Sequence, residues 1–582
     1  MSKVLMCGVF LLSAACSSTD SNGNGGAAGA AGASSPTAGS GSNPQAGSSG
    51  AASTAGSSSN GDGGSNNNPG GGTATMAGTS SGGTGTVGGG APTLGGSVTQ
   101  RGGDSARTSH WLAPKLTKAD VPTKMALDAD FKANFDGELT GTPLFLAGAT
   151  AGTGRFFAAT TQNDVYALDE LTGATVWKHN IGGYLVSAPV CGNDPKNHGI
   201  VSTPVIDEAT KTIYVAAAMT DGHHEIHALS TDTGMEVAGW PVDVSKIKAG
   251  TLAFPSKVQN QRSALSLVNG VVYVAFGGYC GDAGDYHGWV IGVNAADPTK
   301  TGAWATMDDR QAGIWAAGGL ASDGNGVFAI TGNSGASGNH DTSDSEEIIR
   351  ITGLGVGNRD AKNMFYPTEW ATPMNSQDLD FGSASPTVVT VPDAKPSTII
   401  VAPAKPGRVY FLDAANLGGS LGQFADMAVA NTSGQSVYTT PTAYTTSTGV
   451  HVAISTGSGS QCPGGDTNAA VMSILLKPSA AGMVPMPSKA WCGAIDTGST
   501  NRSPISTNSS GSADPIVWYL TGSRLMGFDG EDGTTLYDSS KGASPSSCAG
   551  VHKFTSLIAV NGRIVAGGDS AGKAHLCSWS VH

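Results

Sequence analysis

The sequence has few charged and few aromatic residues, and this scarcity narrows the classes of protein that it could encode. Charged residues make up 13% of the 582 residues and aromatic residues 6%, whereas glycine occurs 86 times. Such a composition indicates that part of the chain is not an ordinary globular domain. Lysine and arginine number 31 against 44 acidic residues, for a net charge of −13. A broad nucleic-acid-binding face is therefore excluded, because it needs clustered basic side chains.

Long apolar runs are also missing, since none approaches the ~20 residues that a membrane-spanning helix requires. We therefore do not expect an integral membrane protein. A shorter apolar stretch, residues 4–12, follows Lys3 and precedes the small residues 13–15 and then Cys16. This order is typical of a secretory signal peptide.

Cleavage before Cys16 resembles the bacterial lipoprotein pathway, in which the new N-terminal cysteine is acylated through its sulfur. We predict a signal peptide over residues 1–15 and a lipid anchor at Cys16, with an ordinary secretory signal as the alternative. Ser17 and Ser18 follow the cysteine, which by resemblance to known lipoproteins implies the bacterial outer membrane or the cell surface. The anchor would make the membrane a partner of this protein.

Residues 16–105 consist mostly of glycine, serine, alanine, threonine and asparagine. From Ser17 to about Asp104 there is no Phe, Trp, Tyr or Lys. Such a segment cannot bury enough apolar surface to offset the ~1–2 kcal/mol of backbone entropy that ordering each residue costs. We predict a disordered tether, and roughly 90 residues of it have a root-mean-square reach of about 50 Å.

The remaining residues, 106–582, carry strand patterns throughout. Apolar and β-branched runs such as 212–215, 271–274 and 398–401 are bounded by Gly, Asp, Asn or Pro, which is typical of strands. No long stretch has a convincing helical period. The predicted fold class is therefore all-β.

A repeated motif indicates how these strands are arranged. Residues 164–169, DVYALD, run into Leu171-Thr172-Gly173 and then Trp177, and related segments begin near positions 225, 289, 408 and 523. Each predicts a strand, a tight turn capped by Asp in which Gly accepts a positive φ, and a second strand. Weaker copies near positions 347 and 470, with the terminal strand, bring the count to about eight, and seven is the alternative.

Such repeats favour a single β-propeller of four-stranded blades. A small sheet cannot bury both of its faces alone, and a closed ring of sheets covers them and leaves few exposed edges. We expect a strand from residues 131–139 to complete the blade that contains the C-terminal strand. Two stacked sandwiches, the alternative, give no reason for the periodic turn.

Residues 165–177, VYALDELTGATVW, closely resemble the pyrroloquinoline-quinone (PQQ) repeat of the quinoprotein-like β-propeller superfamily. The resemblance covers essentially all of residues 106–582. It is specific for the fold and weak for activity, because the same repeat also builds binding scaffolds without a cofactor.

In quinoprotein alcohol dehydrogenases, PQQ lies in a funnel at the propeller axis, between a Trp face and a vicinal disulfide, with Ca²⁺ beside it. The resemblance implies that Trp315 stacks on the quinone and that Asn333 ligates calcium. It implies that Asp380 is the catalytic base for an alcohol proton and that Lys405 bonds the quinone oxygens. The alternatives are that Trp315 is a core residue, that Asn333 and Asp380 are turn residues, and that Lys405 is solvated.

Other positions depart from the dehydrogenase pattern. Asp285 or Asp282 would have to replace a calcium-ligating Glu, so that the implied calcium ligands are Asp285, Asn333 and Asp380. His287 and His198 stand where the dehydrogenases have Arg. With Arg262, which lies beside a strand end, these two histidines are candidate cofactor-binding residues of the funnel.

The cysteines differ as well. Cys191 is followed by Gly192, so no vicinal disulfide can form, and no C-x-x-C-H motif predicts an attached haem. Six cysteines remain after Cys7 leaves with the signal peptide and Cys16 is acylated, and six allow fifteen pairings. Sequence proximity favours Cys462–Cys492 and Cys548–Cys577, which leaves Cys191–Cys280.

Three functions are compatible with these features, and enzymatic activity is left open. The first is a surface-tethered propeller whose funnel binds a small molecule, glycan or protein. The second is a divergent dehydrogenase for an alcohol or sugar, dependent on PQQ and calcium. The third is an envelope-assembly scaffold, and the long tether counts against it because it dilutes the local concentration of a docking subunit. No nucleic-acid partner is expected.

Overall fold

The computed structural model describes residues 96–582 except 192–193, 309, 432–436, 457–458, 495–501 and 542–545. The predicted signal peptide, Cys16 and the tether up to residue 95 lie outside the described residues. No helix in the described part of the chain is both long and apolar enough to cross a membrane.

The repeated motif builds a β-hairpin, as the first copy illustrates. Strand Asp164–Asp169 ends in a turn in which the Asp169 carboxylate accepts hydrogen bonds from the backbone N–H of Leu171 and of Thr172. The hydrogen bond from the Thr172 backbone N–H, and next that from the Thr172 hydroxyl, lower the pKa of Asp169 below its ordinary value. Gly173 has a φ of 72°, which costs glycine little. The chain then returns as strand Thr175–Asn180.

Eight such sheets follow one another along the chain, and we number these blades 1 to 8. Blade 1 contains strands Leu144–Leu146, Arg155–Ala159, Asp164–Asp169 and Thr175–Asn180. Blade 2 contains Val205–Asp207, Thr212–Ala218, His224–Ser230 and Val242–Asp243. Blade 3 contains Gln259–Asn260, Ser266–Val268, Val271–Gly278, Trp289–Asn294 and Thr301–Ala305. Blade 4 contains Ala321–Ser322, Val327–Ile330, Ile348–Thr352, Val356–Gly357 and Met364–Phe365.

The second half of the ring has the same plan. Blade 5 contains Thr387–Thr390, Thr398–Ala404, Arg408–Asp413 and Gln423–Ala428. Blade 6 contains Thr442–Thr445, Val450–Ser455, Ala469–Pro478 and Pro485–Ala494. Blade 7 contains Ile505–Asn508, Ile516–Thr521, Arg524–Asp529 and Thr535–Asp538. Blade 8 contains Ile558–Val560, Arg563–Ser570 and Lys573–Val581, to which Met125–Leu127 and Ala133–Asp136 add from the start of the body. The prediction of about eight blades closed by an N-terminal strand is therefore confirmed.

The other described elements are short. A hairpin is formed by Lys248–Ala249 and Leu252–Ala253, and Val121–Lys124 is a single α-helical turn. Trp370–Met374 is a π-helical turn. The 3₁₀ turns are Val244–Lys246, Ser256–Val258, Cys280–Asp282, His340–Thr342, Asn375–Gln377, Phe381–Ser383, Gly419–Leu421 and Pro463–Gly465.

The hydrophobic core lies between blades, because each cluster of buried apolar side chains combines residues of neighbouring blades. Tryptophans reinforce these contacts. Trp177 of blade 1 donates a hydrogen bond to the Thr231 carbonyl of blade 2, at 3.0 Å, and packs over Gly234. Trp491 of blade 6 packs over Gly533 of blade 7 in the same way. A Cβ at either glycine would approach the indole within 2.7 Å, so the repeated turn needs glycine for close packing as well as for its backbone angle.

The first strands of neighbouring blades lie side by side around the axis. All of them run in the same direction, since every blade repeats the same up-and-down order. The loops that precede the first strands therefore meet at one end of the axis, which we call the upper face. The turns that follow the first strands meet at the lower face.

Residues 97–113, which we call the axial segment, run along the inside of this ring. Backbone N–H groups of four first strands donate hydrogen bonds to its carbonyls, and the pairs are Ile206–Thr99, Ser322–Ser105, Val388–Ala106 and Ala443–Thr108. Strand His110–Leu112 then pairs in parallel with the first strand of blade 7. Residues 96–105, which the composition assigns to the tether, are thus part of the propeller.

Arg107 is the centre of the axial segment and is fully buried. Its guanidinium donates hydrogen bonds to the carbonyls of Leu320, Leu265 and Arg101, at 3.1, 2.9 and 2.6 Å, and to the Ser266 hydroxyl. Burial lowers the pKa of Arg107 to about 10, with Asp104 opposing the shift. The side chain thus ties the axial segment to blades 3 and 4.

Both ends of the axial segment lie at the lower face. At its beginning, the Ser97 hydroxyl bonds the backbone N–H of Ala147 and the carboxylate of Glu208, which follow the first strands of blades 1 and 2. At its end, Ala113 donates to the carbonyl of Asn508, the last residue of the first strand of blade 7. The segment therefore enters the channel from below, turns within it and leaves below.

Candidate functional site

Two adjoining cavities lie among the loops of the upper face. The first, of about 30 Å³, is lined by Arg101, Thr140, Gly141, Val190, Asp194, Pro195, His198, Val201, Thr203, Asn260, Arg262, Ala317, His552 and Phe554. The second, of about 240 Å³, is lined by Val190, Cys191, Asp194, Asn260, Arg262, Gly278–Asp282, Trp315, Asn333, Asp378, Asp380 and Lys553. We call them the axial pocket and the side pocket. Because they share four lining residues, they form one funnel.

Trp315 forms a wall of the side pocket. Its indole packs against Gly277, Gly313 and Gly332, where a Cβ would approach the ring within 2.4–2.6 Å. The indole N–H donates to the carbonyl of Gly278 at 3.0 Å. These contacts fix the ring orientation, because no other residue type leaves enough room beside it.

The six cysteines form the bonds Cys191–Cys280, Cys462–Cys492 and Cys548–Cys577, which is the pairing that sequence proximity favours. The first of them lines the side pocket. It joins a loop between blades 1 and 2 to blade 3 across 89 residues of sequence. A disulfide thus lines the same pocket as Trp315, although its cysteines are not adjacent in sequence.

Asp380 and Lys405 form a buried ion pair at the edge of the side pocket. The Asp380 carboxylate accepts hydrogen bonds from the Lys405 ammonium at 2.9 Å and from the backbone N–H of Asn333 at 3.0 Å. The Ser383 hydroxyl is a further donor, at 3.1 Å. Asp380 is 6% exposed and Lys405 5%. The structure therefore brings together Trp315, Asn333, Asp380 and Lys405.

Neighbouring carboxyl groups change the electrostatics of this pair. Burial opposes the charge of Lys405, but Asp380 and Asp378 outweigh it and raise the pKa of Lys405 above its ordinary value. Burial, and then the charge of Asp380, raises the pKa of Asp378. Glu346 lies fully buried beside Asp380 and accepts a hydrogen bond from the backbone N–H of Phe381. Burial and the charge of Asp380 raise its pKa well above the ordinary value, so its protonated form is favoured.

Two of the three calcium ligands implied by the resemblance, Asn333 and Asp380, line the side pocket together, whereas Asp285 is exposed and lines neither pocket. Asp282, its alternative, lines the side pocket, and its carboxylate accepts a hydrogen bond from the Tyr286 hydroxyl at 2.6 Å. Among the described residues, only Cys548, His575 and Cys577 are close enough to be considered as a group of three metal ligands, and these cysteines are joined by a disulfide. The oxygens of Asp380 already bond Lys405 and the Asn333 N–H. The residues present therefore do not fit the implied calcium site.

The predicted cofactor-binding residues fall into two groups. Arg262 lines both pockets, and His198 lines the axial pocket, where its ring nitrogen lies 2.9 Å from the side-chain oxygen of Asn260. His287 is buried in blade 3, with a ring nitrogen 3.2 Å from the carbonyl of Thr306, and does not line the funnel. It forms an isolated β-bridge with Gln311, just before strand Trp289–Asn294.

Several residues of the funnel were not found from the sequence. Asp194, His552 and Lys553 form an ion-paired group, with the Lys553 ammonium 2.9 Å and the His552 ring 3.4 Å from the Asp194 carboxylate. Arg101 reaches the axial pocket from the axial segment. The one signal for it is the run RGGDSAR, residues 101–107, which places two arginines and an aspartate at the end of an otherwise nearly uncharged stretch.

No protein-family model and no curated protein matches this sequence. Three solved structures are each 14% identical to it. Quinohemoprotein alcohol dehydrogenase ADHIIG from Pseudomonas putida HK5 has a TM-score of 0.57, covering 84% of this chain and 80% of that chain. The quinohemoprotein alcohol dehydrogenase from Comamonas testosteroni has a TM-score of 0.54, covering 84% and 81%. A europium-containing methanol dehydrogenase has a TM-score of 0.50, covering 83% and 98%. At this identity the likeness establishes the fold, and the chain has the eight-bladed β-propeller fold found in these quinoprotein dehydrogenases.

Proposed function

We propose that this protein is an envelope lipoprotein whose propeller binds a small molecule in the funnel of its upper face. The observation that carries the proposal is the pair of adjoining pockets, where buried charged groups converge beside apolar and aromatic walls. Ligand sites are typically clefts in which a few placed polar groups lie among apolar and aromatic side chains. Larger ligands, a glycan or a protein, would contact the same face.

The axial segment places the funnel away from the point where the described chain begins. Ser97 lies at the lower face, opposite the funnel. A flexible tether of roughly 90 residues sets no fixed orientation toward the membrane, and its reach of about 50 Å would leave the funnel accessible to molecules in the surroundings.

The anchor is tested by metabolic labelling of cells with a fatty acid. We expect label on the wild-type chain and on a Cys7→Ser variant, and none on a Cys16→Ser variant. Label that persists in Cys16→Ser would contradict the proposed anchor. Protease treatment of intact cells then separates the cell surface from the periplasmic side of the outer membrane.

Ligand binding is tested by a thermal-shift screen of small molecules on the purified full chain. A ligand that binds only the folded state raises the melting temperature by mass action. We expect at least one compound to shift the wild type but not Arg262→Gln, since Arg262 lines both pockets. Arg155→Gln, which removes a charge whose guanidinium bonds surface carbonyls, is the matched control. Equal shifts in all three proteins would refute a funnel site.

A second candidate function is a divergent quinoprotein dehydrogenase, favoured by the meeting of Trp315, Asn333, Asp380 and Lys405. Trp315 and the Cys191–Cys280 disulfide would contact PQQ, which when bound would supply the electron acceptor for oxidation of an alcohol. Asp380 would accept the hydroxyl proton, and Lys405, 2.9 Å from its carboxylate, would hold Asp380 in position. No role is assigned to calcium, because Asp285 lies outside the pocket and the Asp380 carboxylate already bonds Lys405 and the backbone N–H of Asn333.

The dehydrogenase is tested with PQQ, with and without Ca²⁺, by absorbance, thermal shift and dye-linked alcohol oxidation. We expect binding of PQQ to shift the melting temperature of wild type and of Asp380→Asn, with turnover in the wild type alone. If neither a shift nor turnover is seen, this second function is excluded and the binding function stands on its own test.

A further inference from the structure

Arg101, in the axial pocket, is a buried cation without an anionic partner. It is 3% exposed. Its guanidinium donates to the Thr142 hydroxyl and the Phe554 carbonyl, both at 2.8 Å, and to the Ser503 hydroxyl at 3.1 Å. All three acceptors are neutral, and no carboxylate of the described residues lies within ion-pair distance of it. Burial, and then the charge of Arg107, lowers its pKa to about 9, so the group stays charged at neutral pH.

Arg262 supplies a second cation to the same pocket. Its Nε donates to the carbonyl of Trp315 at 3.0 Å, and its guanidinium carbon lies 4.6 Å from the centre of the Phe554 ring. No hydrogen bond from its two terminal nitrogens to a described residue is found. The stem of the side chain is therefore fixed by Trp315 and Phe554, while its terminal N–H groups are left to face the funnel.

The pocket has no free carboxylate to balance these two charges. Asp194, which lines it, is within 2.9 Å of the Lys553 ammonium and 3.4 Å of the His552 ring. Hydrogen bonds to these two groups outweigh the effect of burial and lower the pKa of Asp194 to about 2. With Arg101 and Arg262 against Asp194, the charged residues that line the axial pocket leave one positive charge in excess.

A buried charge without a partner is costly, and charge-assisted bonds from a guanidinium to a carboxylate are among the strong hydrogen bonds in proteins. The other walls, Val190, Pro195, Val201, Ala317 and Phe554, are apolar. We propose that the axial pocket binds the carboxylate of a small organic acid between Arg101 and Arg262, with its apolar part against Phe554. The proposal rests on the proposed binding function and names its ligand class.

The axial segment gains a binding role from this assignment. Arg101 comes from the chain that fills the central channel and not from a blade, so this part of the pocket depends on residues that the PQQ repeat does not contain. The subsite is also separate from the side pocket, where Trp315 and Asp380 lie, although Arg262 touches both.

The test uses the purified full chain and three probes, which are benzoate, its neutral counterpart benzamide, and inorganic phosphate. Titration calorimetry at low ionic strength should detect binding of benzoate and at least tenfold weaker binding of benzamide. Phosphate should bind more weakly than benzoate, because it gains nothing from Phe554 and the other apolar walls. Benzoate affinity should fall as salt is added, since ions screen the two cations.

Variants separate the roles of the arginines. Arg101→Gln and Arg262→Gln should each weaken benzoate binding by about 10- to 100-fold, the usual effect of losing a charged hydrogen-bond partner. Arg155→Gln, which removes a cation that lines neither the axial nor the side pocket, should change it less than threefold. Should Arg101→Gln fail to fold, Arg262→Gln and the comparison of benzoate with benzamide still decide the question.

The outcomes distinguish this inference from the proposed function. Equal binding of benzoate and benzamide, or equal losses in Arg101→Gln and Arg155→Gln, would overturn the carboxylate subsite. If benzoate does not bind but a neutral compound shifts the melting temperature through Arg262, the subsite is refuted while the binding funnel stands. Binding of phosphate as tight as benzoate would reduce the site to a general anion site and overturn the organic-acid assignment.

Discussion

Replacing Arg107 by leucine removes the hydrogen bonds that tie the axial segment to the blades. In the folded protein its guanidinium serves the carbonyls of Leu265, Leu320 and Arg101. The Leu320 carbonyl keeps a bond from the Ser266 hydroxyl at 2.9 Å. The carbonyls of Leu265 and Arg101 lose the hydrogen bond from Arg107. Because Arg107 is fully buried, water does not replace its guanidinium there.

The expected cost follows from these groups. Each buried carbonyl left without a partner costs about 1–3 kcal/mol. Asp104 also loses the cation that favours its charged form, since burial already raises its pKa. The variant also no longer buries the Arg107 charge, and the removed desolvation penalty offsets part of this loss of stability. We expect Arg107→Leu to lower the free energy of unfolding by about 3–5 kcal/mol, the range found when one partner of a buried polar network is removed.

The assay is thermal or urea unfolding of the full chain, followed by tryptophan fluorescence at several scan rates because large proteins often unfold irreversibly. Arg155→Leu serves as the control, since its guanidinium bonds the carbonyls of Thr231 and Asp232 near the surface and should cost less than about 1 kcal/mol. If the two variants are equally stable, the axial segment does not hold the centre of the ring, and the role given to it is refuted.

Three further predictions concern the ion pair, a contact between blades and a buried histidine. Lys405→Met should lower the free energy of unfolding by about 3–5 kcal/mol, because it leaves the buried Asp380 carboxylate without its partner. Adding Asp380→Asn should restore stability. If thermal unfolding shows no restoration, the prediction is contradicted. Trp491→Ala should cost about 3–5 kcal/mol in the same assay, because it removes a 4% exposed indole that packs on Gly533. Its control, Val176→Ala at an exposed strand position, should cost under about 0.5 kcal/mol. Burial lowers the pKa of His224 to about 3, so the unfolded chain binds a proton that the folded chain rejects, and stability should fall as pH drops from about 6.5 toward 3. His224→Phe should reduce that slope by up to about 1.4 kcal/mol per pH unit, and an unchanged slope would refute the assignment.

The sequence predicts the ring well because the ring is made of local signals. The D-x-x-T-G turn at Asp169–Gly173 determines a hairpin from five adjacent residues, and its repetition implies neighbours for every sheet. The cluster of Trp315, Asn333, Asp380 and Lys405 was also predicted, through resemblance to a family in which the same stretches line the funnel. In both cases the information lies in short segments of the chain.

The axial segment could not be predicted in this way, because its stability comes from contacts far away in sequence. Arg107 bonds Leu265 and Leu320, and Arg101 bonds Ser503 and Phe554, while the local composition is that of a tether. Asp285 and His287 show that a local motif match can also mislead about where a residue lies in the fold. They match a motif by spacing, but Asp285 lies exposed outside the funnel, and His287 is buried beside the carbonyl of Thr306.

Arg262 links the two halves of the funnel, and this decides how the candidate functions relate. It lines the cationic axial pocket and also the side pocket that holds the Asp380–Lys405 pair. An organic acid bound by Arg101 and Arg262 would therefore lie next to Trp315, whose carbonyl holds Arg262 in place. A ligand with a carboxylate at one end and a hydroxyl at the other would engage both pockets at once. Binding without turnover and binding with turnover thus use the same funnel, and the Asp380→Asn variant separates them because it leaves Arg101 and Arg262 intact.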